Sequence, residues 1–203
     1  MSNKLIVGLT GSFGSGKTTV SHLLEELGAF VVDADALAHE TLMKGAPVFD
    51  QIAREFKDAV AADGESMDRK KLAAIIFGDE ARRKKLEALI HPYVHERIWE
   101  EIAEADGAVV VLEVPLLFEA GFDKFCDKKI VVTASEAEVK KRLSERGFSA
   151  GDLKSRMRAQ MPVEEKLKLA DIVICNDASI ETTRKEVEKV WKTLRSLSKG
   201  ARS

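Results

Sequence analysis

Between Gly11 and Thr18 the chain reads Gly-Ser-Phe-Gly-Ser-Gly-Lys-Thr, which satisfies the pattern G-x-x-x-x-G-K-[ST]. No other stretch restricts the fold so strongly. Glycines at 11, 14 and 16 let the backbone take dihedrals closed to other residues and let a ligand come close. The N–H groups of such a loop converge on phosphate oxygens, helped by the positive end of a following helix dipole. The geometry requires a buried strand before the loop and a helix after it, and both signals are present. Lys4–Thr10 is almost continuously apolar, and Thr18–Leu27 is amphipathic and stops before Gly28, a suitable C′ residue. Lys17 is expected to reach the β- and γ-phosphates and the Thr18 hydroxyl to bind Mg²⁺. A nucleoside triphosphate is therefore the expected ligand. The loop alone does not say whether its phosphate is held, hydrolysed or transferred.

Four further runs, Ala29–Asp33, Ala108–Val114, Lys129–Thr133 and Asp171–Asn176, are rich in β-branched and aliphatic residues. Strands apolar on both faces belong inside a parallel sheet covered by helices on both sides. Helical patterns separate them. Asp68, Asp79, Ser135 and Ser179 stand where N-caps are needed, and Glu138 lies three residues after Ser135, as a capping box requires. Strand–helix alternation predicts an α/β doubly wound fold with about five parallel strands. One departure is evident: residues 36–106 carry helical pattern and no convincing strand, which reads as a helical insertion between the second and third strands. A second helical stretch, Ser149–Leu169, precedes the last strand. The dipeptide His91-Pro92 reads as a helix boundary, because proline stops one helix and can start the next.

With 203 residues the chain suits a single domain with an inserted subdomain. The formal net charge of −2 speaks against nucleic acid or an anionic membrane as main partner, since both demand a basic excess. No apolar run approaches the ~20 residues of a membrane span, and no signal peptide is expected at the N-terminus. The two cysteines, Cys126 and Cys175, are far apart and form no C-x-x-C motif, so a reduced cytoplasmic setting is expected. Cys175 sits in an apolar run and reads as inert core. No heptad or apolar interface stripe is visible, and a monomer is the expectation.

A small chain with helical segments around a phosphate loop suits a kinase of a small molecule, in which water must be excluded from the transfer. The second strand ends in Val-Val-Asp-Ala-Asp. A carboxylate there can accept the proton of an attacking hydroxyl or help hold Mg²⁺. Asp35 is favoured for that work and Asp33 for a structural one. Glu113 ends the third strand, where an acidic residue can hold Mg²⁺ through water. Arg142 and Arg146 stand four apart on one helix face, and arginine forks suit the charge on a transferring phosphoryl group. Helix surfaces are charged in any case, so each arginine singly could equally be solvated. Another small-molecule kinase, or a nucleotide-binding regulator that transfers nothing, would carry the same loop.

The motifs "GLTGSFGSGKTTV", "LGAFVVDAD", "DRKKLAAIIF", "HPYV", "VPLLFEAGF", "RMRAQM" and "ADIVICN" stand in this order over nearly the whole chain, Leu5 to Trp191. In this the chain resembles the dephospho-CoA kinases. The resemblance implies a P-loop NTPase three-layer α/β sandwich with a five-stranded parallel sheet, a helical substrate-binding insertion at 36–106 and a lid at about 142–169. It implies transfer of the γ-phosphate of ATP, with Mg²⁺, to the 3′-hydroxyl of the ribose of dephospho-CoA. Ser12, Phe13, Gly14, Ser15, Gly16, Lys17, Thr18 and Thr19 would form the ATP phosphate site, and Asn176 would contact adenine or merely end the strand. Asp35 would be the general base, with Lys17 and Arg142 assisting. His91, Leu116, Glu119, Arg146 and Gln160 would meet the acceptor. Leu116 reads more strongly as core, Glu119 equally well as a helix cap, and His91 equally well as a structural residue. Thr18 and Glu113 would hold the metal.

Overall fold

The computed structural model describes residues 4–77, 79–145, 147 and 160–200. Five strands form one sheet: β1 (Leu5–Gly11), β2 (Phe30–Asp33), β3 (Val109–Glu113), β4 (Lys128–Thr133) and β5 (Ile172–Cys175). Their order is β2-β3-β1-β4-β5 and each neighbouring pair is parallel. Each observed strand begins and ends within one residue of the apolar run that predicted it. Parallel neighbours put every C-terminal strand end on one edge, the edge where open α/β sheets bind ligands.

The chain divides into two compact units, Met1–Asp33 with Ala105–Ser203, and Ala34–Glu104. The first contains the sheet. Helix α1 (Lys17–Glu26) and the long C-terminal helix, residues Ile180–Gly200, cover one of its faces. Their Val20, Leu23, Leu24, Val187, Trp191 and Leu194 pack on Val7, Leu9, Val109, Val111, Ile130 and Val132. The alternate residues Val110, Leu112 and Val131 are also buried, which is why these strands read as unbroken apolar runs. Helix α1 ends in a Schellman motif: the Gly28 N–H donates to Glu25 O, and the Ala29 N–H to Leu24 O. Gly28 has φ 103°, so it supplies the left-handed residue that the motif needs.

At the opposite sheet edge two aspartates fix the strand register. Asp127 Oδ2 accepts the Ile6 N–H at 2.8 Å, and the Asp127 N–H donates to Ile6 O. Asp171 repeats the device on Lys129, and salt bridges from Lys128 and Lys129 add to it. Each satisfies an edge donor that would otherwise have no partner in the ladder.

The second unit is helical, with α2 (Ala34–Glu40), α3 (Phe49–Glu55), α4 (Arg69–Phe77) and α5 (Glu80–Glu104). Phe49, Ile52, Phe56, Met67, Leu72 and Leu86 form its core. Asp68 caps α4 through the N–H groups of Lys70 and Lys71, and Asp79 caps α5 through Arg82. The boundary expected at His91-Pro92 is absent: Pro92 lies inside α5. Proline there removes the bond to the Ala88 carbonyl. The helix continues because Leu86, Val94, Ile98 and Ile102 are buried along it, and Ala88 is exposed to water.

In the first unit α6 (Glu136–Glu145), α7 (Val163–Leu169) and α8 (Ile180–Gly200) complete the described helices. The capping box predicted at α6 is only half present. The Ser135 hydroxyl lies 3.4 Å from the Glu138 N–H, but Glu138 pairs with Arg142, and the Ser135 N–H goes to Asp177. Cys175 is exposed rather than core, because β5 is the edge strand of the sheet. Cys126 is the more buried thiol, and burial pushes its pKa up to about 12. Among the described residues no helix is long and apolar enough to cross a membrane.

Candidate active site

The β1–α1 loop wraps the N-terminus of α1. Gly16 is the N-cap, with φ 91° and ψ 31°, and no side chain caps that helix end. A Cβ on Gly16 would stand 2.0 Å from Asn176 Nδ2, so both conformation and space demand glycine. Asn176 is held at every polar group. Its Nδ2 donates to Ser15 O at 2.9 Å, its Oδ1 accepts from Thr183 Oγ1 at 2.9 Å, and its N–H donates to Thr133 O at 2.8 Å. Arg142 donates to Asn176 O at 2.7 Å and to Ser15 O at 3.4 Å, while its Nε faces Glu138 at 3.5 Å. The Ser15 carbonyl is thus turned toward Asn176. In a trans peptide the next N–H points the opposite way, so the Gly16 N–H is directed away from Asn176.

Lys17 spans the same loop, its Nζ donating to Gly11 O at 3.0 Å and Ser12 O at 3.2 Å. The Ser15 hydroxyl is buried and has no hydrogen-bond partner among the described residues. Together with the uncapped first turn of α1, it leaves donors gathered around one small space, as an anionic ligand requires. Beside the loop a cavity of about 280 Å³ is lined by Gly14, Gly16, Thr19, Arg142, Asn176 and Ile180.

Glu113 ends β3 one strand away, in register with Leu9 of β1. It is buried, and its two oxygens accept from Thr18 Oγ1 at 3.2 Å and Ser21 Oγ at 2.5 Å. A carboxylate and an adjacent hydroxyl suit Mg²⁺, which takes few protein ligands and keeps waters and phosphate oxygens for the rest. The donor set therefore fits that ion. No cluster of three or more His, Cys, Asp or Glu side chains that would hold a metal tightly is found among the described residues.

The other expected site residues are dispersed. Gln160 Oε1 accepts the Phe13 N–H at 3.1 Å, which ties the segment leading into α7 to the phosphate loop. Glu119 Oε1 accepts the Met161 N–H at 2.7 Å and pairs with Lys166 at 3.0 Å. Leu116 is half-buried, and Leu117 beside it is fully buried. Arg146 and the expected stretch 149–159 lie outside the described residues. Asp35 is exposed in the first turn of α2, and His91 is exposed in the middle of α5; both belong to the second unit. Asp33 is exposed at the end of β2.

Sequence reasoning missed Ser21, Lys166 and Asp177. Ser21 had a signal, since it follows Thr18 by three residues and so shares its helix face. The partners of Lys166 and Asp177 are 42 or more residues away along the chain, apart from Cys175 beside Asp177, and no local pattern marks such pairs.

A parallel sheet with a G-x-x-x-x-G-K-[ST] loop, its lysine folded over the loop and an acidic residue meeting its threonine, defines a P-loop nucleotide-binding protein of the kinase type. Within that class the chain belongs to the dephospho-CoA kinase family, whose profile matches residues 5–182. A dephospho-CoA kinase of Symbiobacterium thermophilum is 44% identical over 191 residues, 92% of this chain and 80% of that protein. One of Aquifex aeolicus is 43% identical, covering 93% of this chain and 96% of the other. The solved dephospho-CoA kinase of Campylobacter jejuni superposes with a TM-score of 0.69 at 31% identity, covering 98% of this chain and 99% of that one.

Proposed function

We propose that this chain transfers the γ-phosphoryl group of ATP to the 3′-hydroxyl of the ribose of dephospho-CoA, the last step of coenzyme A biosynthesis. The observation that carries the reading is the match of residues 5–182 to the dephospho-CoA kinase family, and the phosphate loop supports the kinase part of it: Gly16 fixed against Asn176, Lys17 bridging two loop carbonyls, and Thr18 on Glu113. The β- and γ-phosphates occupy the loop, with Lys17 turned onto them. The base and sugar of ATP take the adjoining cavity beside Asn176 and Thr19. Thr18 and Glu113 would hold Mg²⁺, which would supply positive charge against the phosphates.

Asp35 accepts the proton of the 3′-hydroxyl as that oxygen attacks the γ-phosphorus, and ADP departs with the electrons of the broken P–O bond. Arg142 stabilises charge on the transferred group. Residues 36–106, His91 among them, bind the acceptor. The protein works as a cytoplasmic monomer. Covalent chemistry asked of the protein is slight, so positioning and charge carry the acceleration.

The test is an acceptor panel. Purified protein with Mg²⁺ and ATP is offered dephospho-CoA, adenosine, AMP, uridine and shikimate, and products are followed by chromatography and ³¹P NMR. A new 3′-phosphomonoester formed only from dephospho-CoA is expected. Transfer to a different acceptor, or none to any, overturns the reading.

A further inference from the structure

Among the described residues, the phosphoryl-transfer scheme leaves a buried charged group of the first unit unused. Lys166, on α7, has a side chain with 0% exposure. Taking an ammonium out of water is expensive unless good acceptors surround it. Its Nζ has two: Pro115 O at 2.9 Å and Glu119 Oε1 at 3.0 Å.

Both acceptors lead back to the phosphate loop. Pro115 O also accepts the hydroxyl of Thr10, at 3.0 Å, and Thr10 is the buried residue immediately before Gly11. Pro115 has no N–H, so its carbonyl is its sole backbone hydrogen-bonding group. Glu119 Oε1 also accepts the Met161 N–H, and the adjacent Gln160 accepts the Phe13 N–H. Gly11 and Ser12, whose carbonyls hold the Lys17 ammonium, are thus bracketed by Thr10 and Phe13. Each bracket traces to Lys166 through short polar contacts.

We propose that Lys166 is a positioning residue for phosphoryl transfer, with Glu119 as its partner. Lys166 touches no ligand. It fixes Pro115 and Glu119, and they set the two ends of the loop segment that aims Lys17. A 1 Å displacement of such a segment costs on the order of 10²-fold in rate. The proposal rests on the kinase reading above, so its test includes a measurement that does not need the acceptor.

The experiment compares wild type, Lys166→Met, Glu119→Gln and the double variant. Methionine keeps the length of the stem and removes the charge. Folding is checked by circular dichroism. The readouts are kcat and KM with dephospho-CoA, and the affinity for a non-hydrolysable ATP analogue with Mg²⁺. For folded K166M, kcat is expected to fall about 10- to 100-fold while acceptor KM stays within about twofold. Analogue affinity is expected to fall by about three- to tenfold. The double variant is expected to fall no further than K166M, because the pair acts as a unit. A folded K166M with kcat and analogue affinity both within about twofold of wild type overturns the proposal, as do losses that multiply in the double variant. If K166M does not fold, E119Q carries the test, with a loss of about threefold or more expected in either readout and none overturning it. If wild type is inert toward dephospho-CoA, the acceptor assignment fails and the analogue affinities still decide on Lys166.

Discussion

Thr18 and Glu113 meet across 3.2 Å, the hydroxyl of the phosphate loop donating to the acid that ends the neighbouring strand. Ser21, one turn on, donates to the other oxygen. Glu113 is thereby oriented from both sides beside the phosphate loop. Glu113→Gln keeps the shape and one acceptor but removes the charge. The Mg²⁺ concentration for half-maximal rate is expected to rise about 10- to 100-fold. A magnesium titration at saturating ATP checks it, and an unchanged curve would remove Glu113 from the metal site.

Gly16 has no room for a side chain. A methyl group would meet Asn176 Nδ2 at 2.0 Å, and φ of 91° is strained for any L residue. Gly16→Ala should cost about 1–3 kcal/mol in backbone strain alone. At about 2–4 °C per kcal/mol for a chain of this size, the melting temperature should drop by several degrees. Binding of an ATP analogue, read by calorimetry, should be lost in the fraction that remains folded. A variant that melts and binds like wild type would show that the loop relaxes freely.

Asp35→Asn isolates the proposed base. Turnover is expected to fall by on the order of 10²–10⁴, with ATP-analogue affinity unchanged. Near-normal turnover would assign the proton transfer elsewhere. Steady-state kinetics with dephospho-CoA beside analogue binding make the distinction.

The Asp177 carboxyl is held below its ordinary pKa of 3.8, chiefly by the Ser135 N–H. A lowered folded-state value means that the fold favours the charged form. The associated stability is present above the ordinary value and is lost as pH falls through the lowered one. Asp177→Asn should therefore melt below wild type by a constant interval from pH 5 to pH 7, with the interval shrinking below about pH 4. Thermal melts across that range test this; an interval that stays constant to pH 3 would show that the contact is not charge-assisted.

The sheet was legible in the sequence because it is parallel and covered on both faces. Strands such as Val109–Glu113 must then be apolar up to the acid that ends them at the ligand-binding edge, and their runs stand out. The phosphate loop was legible because its constraints are local: Gly16, Lys17 and Thr18 act within one turn of chain. Asp68 and Asp79 cap helices for the same reason.

What tertiary structure alone decided depends on groups distant in sequence. Cys175 reads as core in its apolar run, but β5 is an edge strand, and side-chain period does not reveal strand order. Pro92 is a stop signal locally, yet burial of Leu86, Val94 and Ile98 on either side carries α5 through it. Ser135 and Glu138 form a capping pattern, but Asp177 offers the Ser135 N–H a carboxylate from 42 residues away. Lys166 sits in a charged stretch, VEEKLKL, that resembles any solvated helix. Only the fold brings Pro115 and Glu119 to it, and only their oxygens make burial of that charge tolerable.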